Sequence, residues 1–215
     1  MTTIRDVPIA PPAPTAVHMR LATIADVDAI TIVVDENVAL GLAGVDAAGM
    51  SGVDRGLIRV RKLVHLEGDL GRVGQPIAVR TAVLWQALDA DVVPVIAPIS
   101  LGDDGSYNVN ADDAAGAIAA ALAQDNRAGA VEVTFVTNVP GVKLDGVVVA
   151  QLNAPAIETA ITSGAIYDGM IPKVKAALAV LDAGAAQARI VDMAGLEQLA
   201  RGDRAGTIIV TGGRA

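Results

Sequence analysis

Two short polar segments hold the side chains best suited to chemistry. The first places two amides and a carboxylate, Asn108, Asn110 and Asp112, directly ahead of an alanine-rich stretch. The second, residues 168–174, places Lys173 at the predicted start of another helix. Helix N-termini present free N–H groups and the positive end of the helix dipole, so these groups suit an anionic substrate whose charge grows during reaction. Together the two segments restrict the range of possible functions more than the rest of the chain does.

Each segment also has a purely structural interpretation. Asn and Asp are preferred helix caps, so residues 108–112 would need no further role than starting a helix. Lys173 would then be a solvated surface lysine, although the helix dipole disfavours a cation at that end. A third segment, residues 137–141, combines Asn, Pro and Gly, which form turns, and follows a predicted strand, where open α/β sheets bind ligands. The residues alone leave both interpretations open.

Composition indicates a single α/β domain. The chain has 215 residues, enough for one full core, and 53% of them are hydrophobic while only 2% are aromatic. A core of Ala, Val, Ile and Leu with 22 glycines is typical of parallel α/β layers. We divide the chain into a proline-rich lead-in over residues 1–19 and one domain over residues 20–215.

Several functional classes are disfavoured. The absence of cysteine excludes disulfides, thiolate metal sites and a cysteine nucleophile, and with only two histidines, far apart, we expect no protein metal site. The net charge of -8, without a basic stripe, argues against nucleic acid as a partner. No charge-free apolar run approaches ~18 residues and no signal-peptide pattern is present, so we expect a cytoplasmic protein without a membrane segment.

The pattern of apolar residues predicts alternating helices and strands. Predicted helices cover residues 24–44, 79–88, 111–123, 154–163, 173–183 and 196–201. Predicted strands cover residues 57–62, 92–98, 130–136, 188–191 and 206–210, the second of them buried. Predicted loops cover residues 50–56, 67–74, 100–106 and 137–142, and four prolines make residues 7–17 an extended segment.

Taken in order, these motifs resemble the N-acetylglutamate kinases of the amino acid kinase family. The loop at residues 49–54 is similar to that family's Gly-Leu-Ser-Gly-x-Asp motif. The other matching stretches are residues 94–99, 104–112, 137–142, 168–174 and 206–207. Each match is weak alone, but their ordered combination over residues 20–210 is specific.

The resemblance implies a fold and an activity. The fold would be a three-layer αβα sandwich with a mainly parallel central sheet. The activity would be that of a carboxyl-group phosphotransferase, which moves a phosphoryl group from ATP, carried with Mg²⁺, to the side-chain carboxylate of N-acetyl-L-glutamate in arginine biosynthesis. The enzyme would be a homodimer acting on a small molecule, and its chemistry needs positioning and positive charge rather than a covalent nucleophile.

The resemblance also assigns roles to individual residues. Lys173 would stabilise the transferring phosphoryl group, and Asp112 would orient the catalytic lysines. Asn108, Asn110 and Arg20 would bind the acylated amino acid, with Arg20 on its carboxylate. The nucleotide would lie against four residues, Thr137, Asn138, Gly141 and Met170.

Two departures from the family pattern open alternatives. No Lys-x-Gly-Gly loop is present, and no lysine precedes Lys62. We therefore expect an N-terminally incomplete domain, whose activity would be impaired. The alternative is a non-catalytic homologue that binds an effector or a partner subunit. Asn138 stands where acetylglutamate kinases commonly have aspartate. An asparagine there is closer to the pattern of kinases that act on carrier-linked aminoadipate in lysine synthesis. An acidic carrier would then meet a basic set: Arg55, Arg59, Arg61, Lys62 and Arg72.

Overall fold

The computed structural model describes residues 17–22 as backbone, and residues 40, 44–66 and 68–210 with their side chains. Its strands are β1 (Val17–Ala22), β2 (Ala47–Gly52), β3 (Ile58–Lys62), β4 (Gly74–Val79), β5 (Val93–Gly102), β6 (Gly105–Asn108), β7 (Val131–Thr137), β8 (Lys143–Leu144), β9 (Val147–Val148), β10 (Gln151–Asn153), β11 (Gln187–Asp192) and β12 (Thr207–Val210). Its α-helices are α1 (Thr81–Leu88), α2 (Ala111–Ala123), α3 (Ala154–Thr162), α4 (Met170–Asp182) and α5 (Met193–Ala200). The predicted helix over residues 24–44 and the proline-rich residues 7–16 lie outside the described residues, apart from Leu40 and Gly44.

The first sheet supplies the edge at which the candidate site lies. Its strand order is β1-β7-β11-β12-β10, and every pairing is parallel except β11 with β12. Since β1, β7 and β11 run the same way, their carboxyl ends share one edge, where Thr137 pairs with Asp192. The loop that follows β7 therefore leaves from this edge, as the sequence predicts.

The second sheet has the order β2-β5-β3-β4, with β6 also paired to β5. Strands β2 and β3 run parallel to β5, whereas β4 and β6 are antiparallel additions. The mixed α/β fold with mostly parallel pairing is thus confirmed, and the described strands form two five-stranded sheets beside a small β8–β9 ribbon.

Two predicted loops are wrong. Residues 50–56 were expected to be a turn-rich loop, but residues up to Gly52 belong to β2, followed by a short 3₁₀ helix (Asp54–Gly56). Residues 100–106 form the β5–β6 hairpin instead of a loop, and β5 runs past Pro98 to Gly102. A side chain at Gly102 would come within 2.5 Å of the Tyr107 ring, so glycine here permits cross-strand packing rather than breaking the strand.

Other boundaries differ by a few residues. Helix α2 begins and ends where predicted, but α4 begins at Met170, three residues earlier than expected. Pro172 is compatible with that first turn because its missing N–H has no partner there in any helix. Val79 ends β4 rather than starting a helix, and β5 is only partly buried along its length.

Helices α2 and α4 pack closely against each other over the first sheet. Gly116 on α2 lies where an added Cβ would sit 3.7 Å from both Ala176 and Val180 of α4. Such small residues let the two helix backbones approach closely, and Phe135 of β7 is fully buried in the core beneath them. This packing fixes the two helices relative to each other, including their first turns. Within the described residues, no helix is both long enough and apolar enough to cross a bilayer.

Candidate active site

A lysine and an aspartate meet between the first turns of α4 and α2. The Lys173 Nζ lies 2.8 Å from Oδ2 and 3.1 Å from Oδ1 of Asp112, so both carboxylate oxygens accept from one ammonium group. The side chains of Lys173 and Asp112 are 14% and 4% exposed. A charge this deeply buried is expensive unless it is paired, so the two residues hold each other in a fixed geometry.

The segment before α4 positions Lys173. Asp168 adopts a left-handed conformation with φ of 46°, which is uncommon for a residue with a side chain. The carbonyls of Tyr167 and Asp168 accept from the amides of Met170 and Ile171. These contacts start the helix abruptly and place Lys173 as its fourth residue, within the first turn.

Asn110 positions Asp112. Its side-chain oxygen accepts from the amides of Asp112 at 2.9 Å and Asp113 at 3.3 Å, which is the N-cap arrangement. The intervening Val109 is buried, so Asn108 and Asn110 on either side of it are exposed. Burial, followed by the nearby Asp112 charge, raises the pKa of the Asp113 carboxyl. The structural interpretation of Asn110 therefore holds, and its amide nitrogen is the group that remains for a substrate.

A cavity of about 440 Å³ opens beside this ion pair. It is lined by Lys173 and by residues of the loop after β7 and of the segment before α4, namely residues 137–139, 141–143 and 165–170. The four residues assigned to the nucleotide, Thr137, Asn138, Gly141 and Met170, all lie on its wall. Its volume falls within the range of small-molecule and cofactor sites.

Thr207 holds the loop after β7 in place. Its buried hydroxyl accepts from the Val142 amide at 2.9 Å and donates to the Val149 carbonyl at 2.6 Å. A side chain on Gly141 would come within 2.7 Å of this hydroxyl oxygen, so only glycine fits there without a shift. Thr207 lies in a stretch that resembles the family, and its polar side chain at the start of the apolar strand Thr-Ile-Ile-Val is the sequence signal for this role.

The structure brings some of the predicted residues together and leaves others apart. Lys173 belongs both to the cavity wall and to the ion pair, so it joins the cavity to Asp112. Asn108 and Asn110 are not on that wall. Arg20 lies in β1, paired in register with Thr134, three residues before the carboxyl end of β7. Asn108 ends β6, on the other side of the Asn110 cap.

The wall residues of the cavity that sequence reasoning missed include Lys143 and Tyr167. Lys143 is exposed on β8 and forms no ion pair with the described residues. Tyr167 is 66% exposed at the cavity. Within the part of the chain that the structure describes, no group of three or more His, Asp or Glu side chains is arranged to hold a metal ion.

Comparison with known proteins identifies the class. The profile of the amino acid kinase family matches residues 8–192, and the chain belongs to that family. Curated relatives named acetylglutamate kinase include one from Roseiflexus castenholzii, 58% identical over 175 residues, and one from Roseiflexus sp. (strain RS-1), 60% identical over 158 residues. The matches cover 81% and 74% of this chain, but the chain spans only 63% and 58% of those relatives.

Solved structures agree on the fold. The crystal structure of smu.665 from Streptococcus mutans UA159 is 26% identical with a TM-score of 0.70, over 85% of this chain and 69% of that one. N-acetylglutamate synthase from Neisseria gonorrhoeae, solved with coenzyme A and N-acetyl-glutamate, has a TM-score of 0.73 at 20% identity, over 86% and 42% of the two chains. The second likeness concerns the fold alone.

Proposed function

We propose that this chain carries out, or is the greater part of a protein that carries out, transfer of a phosphoryl group from MgATP to the side-chain carboxylate of N-acetyl-L-glutamate. The relatives named acetylglutamate kinase support the substrate. The observation that carries the proposal is the position of Lys173, which lines the cavity and is fixed by Asp112 on its other side.

The geometry suits phosphoryl transfer. In such a reaction charge spreads over the oxygens of the transferring group, and catalysis consists mainly of positioning and electrostatic stabilisation. Lys173 would supply a positive charge at the transferring group. Asp112, by accepting twice from the lysine, would keep its Nζ in one place, so that little reorganisation is needed during the reaction. Thr137, Asn138, Gly141 and Met170 would contact the nucleotide.

The acylated amino acid would bind on the α2 side of the ion pair. There Asn108 and the amide nitrogen of Asn110 would donate hydrogen bonds to it. The guanidinium of Arg20 would bind its carboxylate, since a planar, permanently charged group suits that partner. In this proposal Mg²⁺ arrives with ATP, the protein acts in the cytoplasm, and the assembly is a homodimer.

The test is a trapped product. The purified chain is incubated with MgATP, N-acetyl-L-glutamate and hydroxylamine, and hydroxamate derived from the acyl phosphate is measured. We expect Lys173→Met to lower the rate of hydroxamate formation by a factor of about 10²–10³. Lys173→Arg keeps the positive charge and should retain more of that rate. Circular dichroism checks that each variant is folded. A folded chain that binds neither MgATP nor N-acetylglutamate would refute the proposal and favour the non-catalytic homologue.

A second candidate is the same chemistry on a carrier-linked aminoadipate. It is favoured by Asn138, which lies on the cavity wall next to Thr137. The basic set proposed for an acidic carrier is largely engaged: Arg59 pairs with Asp103, Lys62 with Asp69 and Arg72 with Asp104. Hydroxamate formed from the carrier-bound substrate, and not from N-acetylglutamate, would select this candidate.

A further inference from the structure

The aromatic residues are few, and only one is exposed. The chain has one Trp, one Phe and two Tyr. Trp85, Phe135 and Tyr107 are at most 9% exposed, whereas Tyr167 is 66% exposed. A large aromatic side chain normally contributes by being buried, so one left in solvent needs another explanation. Tyr167 lies on the wall of the cavity that also holds Lys173.

The backbone around Tyr167 is fixed, so the ring projects from a defined position. Ile166, directly before it, is buried and donates its amide to the Ala160 carbonyl at the end of α3. The Tyr167 carbonyl accepts from Met170, and Asp168, directly after it, takes the left-handed conformation. An exposed ring on an anchored backbone loses less freedom on binding a ligand than one on a mobile loop.

The neighbouring wall of the cavity is apolar and suits a flat ring. Val142, Ala165, Ile166 and Met170 all line it, and the two lysines Lys143 and Lys173 line the same cavity. Apolar surface with an aromatic ring favours stacking of a planar heterocycle, and lysine favours phosphate. The cavity thus combines the surfaces that a nucleoside triphosphate requires.

We propose that Tyr167 is the base-stacking residue of this site, and that its ring covers the purine of the bound nucleotide. The inference rests on the proposed nucleotide-dependent function and assigns the base to the segment before α4. Stacking needs only the π-face of the ring and not the hydroxyl. Phenylalanine should therefore replace Tyr167, while alanine or leucine should not.

The experiment measures binding to the full chain by isothermal titration calorimetry. The ligands are a non-hydrolysable MgATP analogue and ribose 5-triphosphate with Mg²⁺, which has the sugar and phosphates without the base. We expect Tyr167→Ala and Tyr167→Leu to weaken binding of the analogue about 5- to 100-fold and to leave ribose 5-triphosphate unchanged, and Tyr167→Phe to bind both like wild type. The control is Met193→Ala, another exposed apolar side chain, outside the cavity wall.

The outcomes separate the inference from the function beneath it. If the wild type binds the analogue and Tyr167→Ala binds it with the same affinity, Tyr167 does not stack on the base. The nucleotide-dependent function would then still stand. Equal losses for the analogue and ribose 5-triphosphate would also overturn it, because the effect would then not involve the base. If the wild type bound neither the analogue nor ribose 5-triphosphate, both proposals would be overturned.

Discussion

Two lysine–aspartate pairs in this protein share a closest N···O distance of 2.8 Å and differ in their surroundings. Lys62, the last residue of β3, meets Asp69 of the following loop, and their side chains are 46% and 68% exposed. Lys173 and Asp112 meet between two packed helices, where the exposures are 14% and 4%. Water screens the first pair, whereas the second has exchanged most of its hydration for its partner.

Contact distance alone therefore does not measure how much an ion pair contributes to stability. The hydrogen bond with Asp69 raises the pKa of the Lys62 amine, and the same bond is the first cause that lowers the pKa of the Asp69 carboxyl. Both shifts come from the same exposed contact, and either partner can return to water when the other is removed. At the buried site Asp112 is only 4% exposed and has little access to water, so removing Lys173 penalises the carboxylate.

The largest effect should come from breaking the buried pair. Lys173→Met keeps the length of the side chain but removes its charge, so Asp112 is left buried without this cation. We expect the free energy of unfolding to fall by about 3–5 kcal/mol, measured by urea denaturation with circular dichroism. The matched control is Lys62→Met at the exposed pair, for which we expect little change. Equal losses in the two variants would contradict the comparison.

A neutral buried contact gives the next effect. Thr207→Val keeps the shape of the side chain but removes the hydroxyl that bonds to Val142 and Val149. The buried Val142 amide and the partly buried Val149 carbonyl lose this partner, so we expect a loss of about 1–3 kcal/mol in unfolding free energy. Thr207→Ser retains the hydroxyl and should lose less. If Thr207→Val were as stable as wild type, the loop after β7 would not depend on this contact.

Acid titration should reveal the hydrogen bonds of a third carboxylate, Asp125, whose burial lies between that of Asp112 and that of Asp69. The Arg127 amide, then the Trp85 indole and the Thr81 hydroxyl, lower the pKa of Asp125. Because its folded pKa is lowered, the stabilisation is complete above about pH 4 and is lost as the pH falls through the lowered value. Trp85 is the only tryptophan and donates to Asp125 at 2.8 Å, so its fluorescence reports the titration.

We expect the fluorescence change to have its midpoint below the ordinary aspartate pKa and to be absent in Asp125→Asn. Circular dichroism on the same samples distinguishes this local change from acid unfolding. A midpoint at or above the ordinary value would contradict the assigned hydrogen bonds.

The smallest effect should come from the exposed pair. In a double-mutant cycle of Lys62→Ala and Asp69→Ala, we expect the coupling in thermal stability to be close to zero and to disappear when the salt concentration is raised. A coupling that persists in high salt would mean that the exposed pair is protected from solvent, and would remove the distinction on which the comparison depends.

The sequence predicts those parts of the fold whose signals are local. Helix α2 has its predicted bounds because Asn110 caps it and two acidic residues occupy its first turn. Strand β2 was missed because its residues, Ala-Ala-Gly-Met-Ser-Gly, have little strand propensity. Its small size is a tertiary requirement, since a side chain at Gly52 would lie 2.5 Å from the Ser100 hydroxyl.

The site is predictable only in part, for a related reason. A carboxylate at position 112 and an amine at position 173 indicate chemistry. No local sequence pattern predicts that these residues, 61 positions apart, meet at 2.8 Å. Helix packing through Gly116 and Ala176 determines that contact, so it is a property of the folded chain. Tyr167 was missed because exposure, and not residue type, distinguishes it from the three other aromatic residues.

The contact between Gly141 and Thr207 also limits how this protein can evolve. The glycine has room only for hydrogen because the threonine hydroxyl and the Val148 side chain occupy the adjacent space, and that hydroxyl also accepts from the Val142 amide next to the glycine. A larger residue at position 141 would require position 207 to give up its oxygen and Val148 to move, and the loss of the oxygen would leave Val142 without its hydrogen bond. Two sites in distant parts of the gene therefore constrain each other's residue types, because a change at either one disturbs a contact that the other provides.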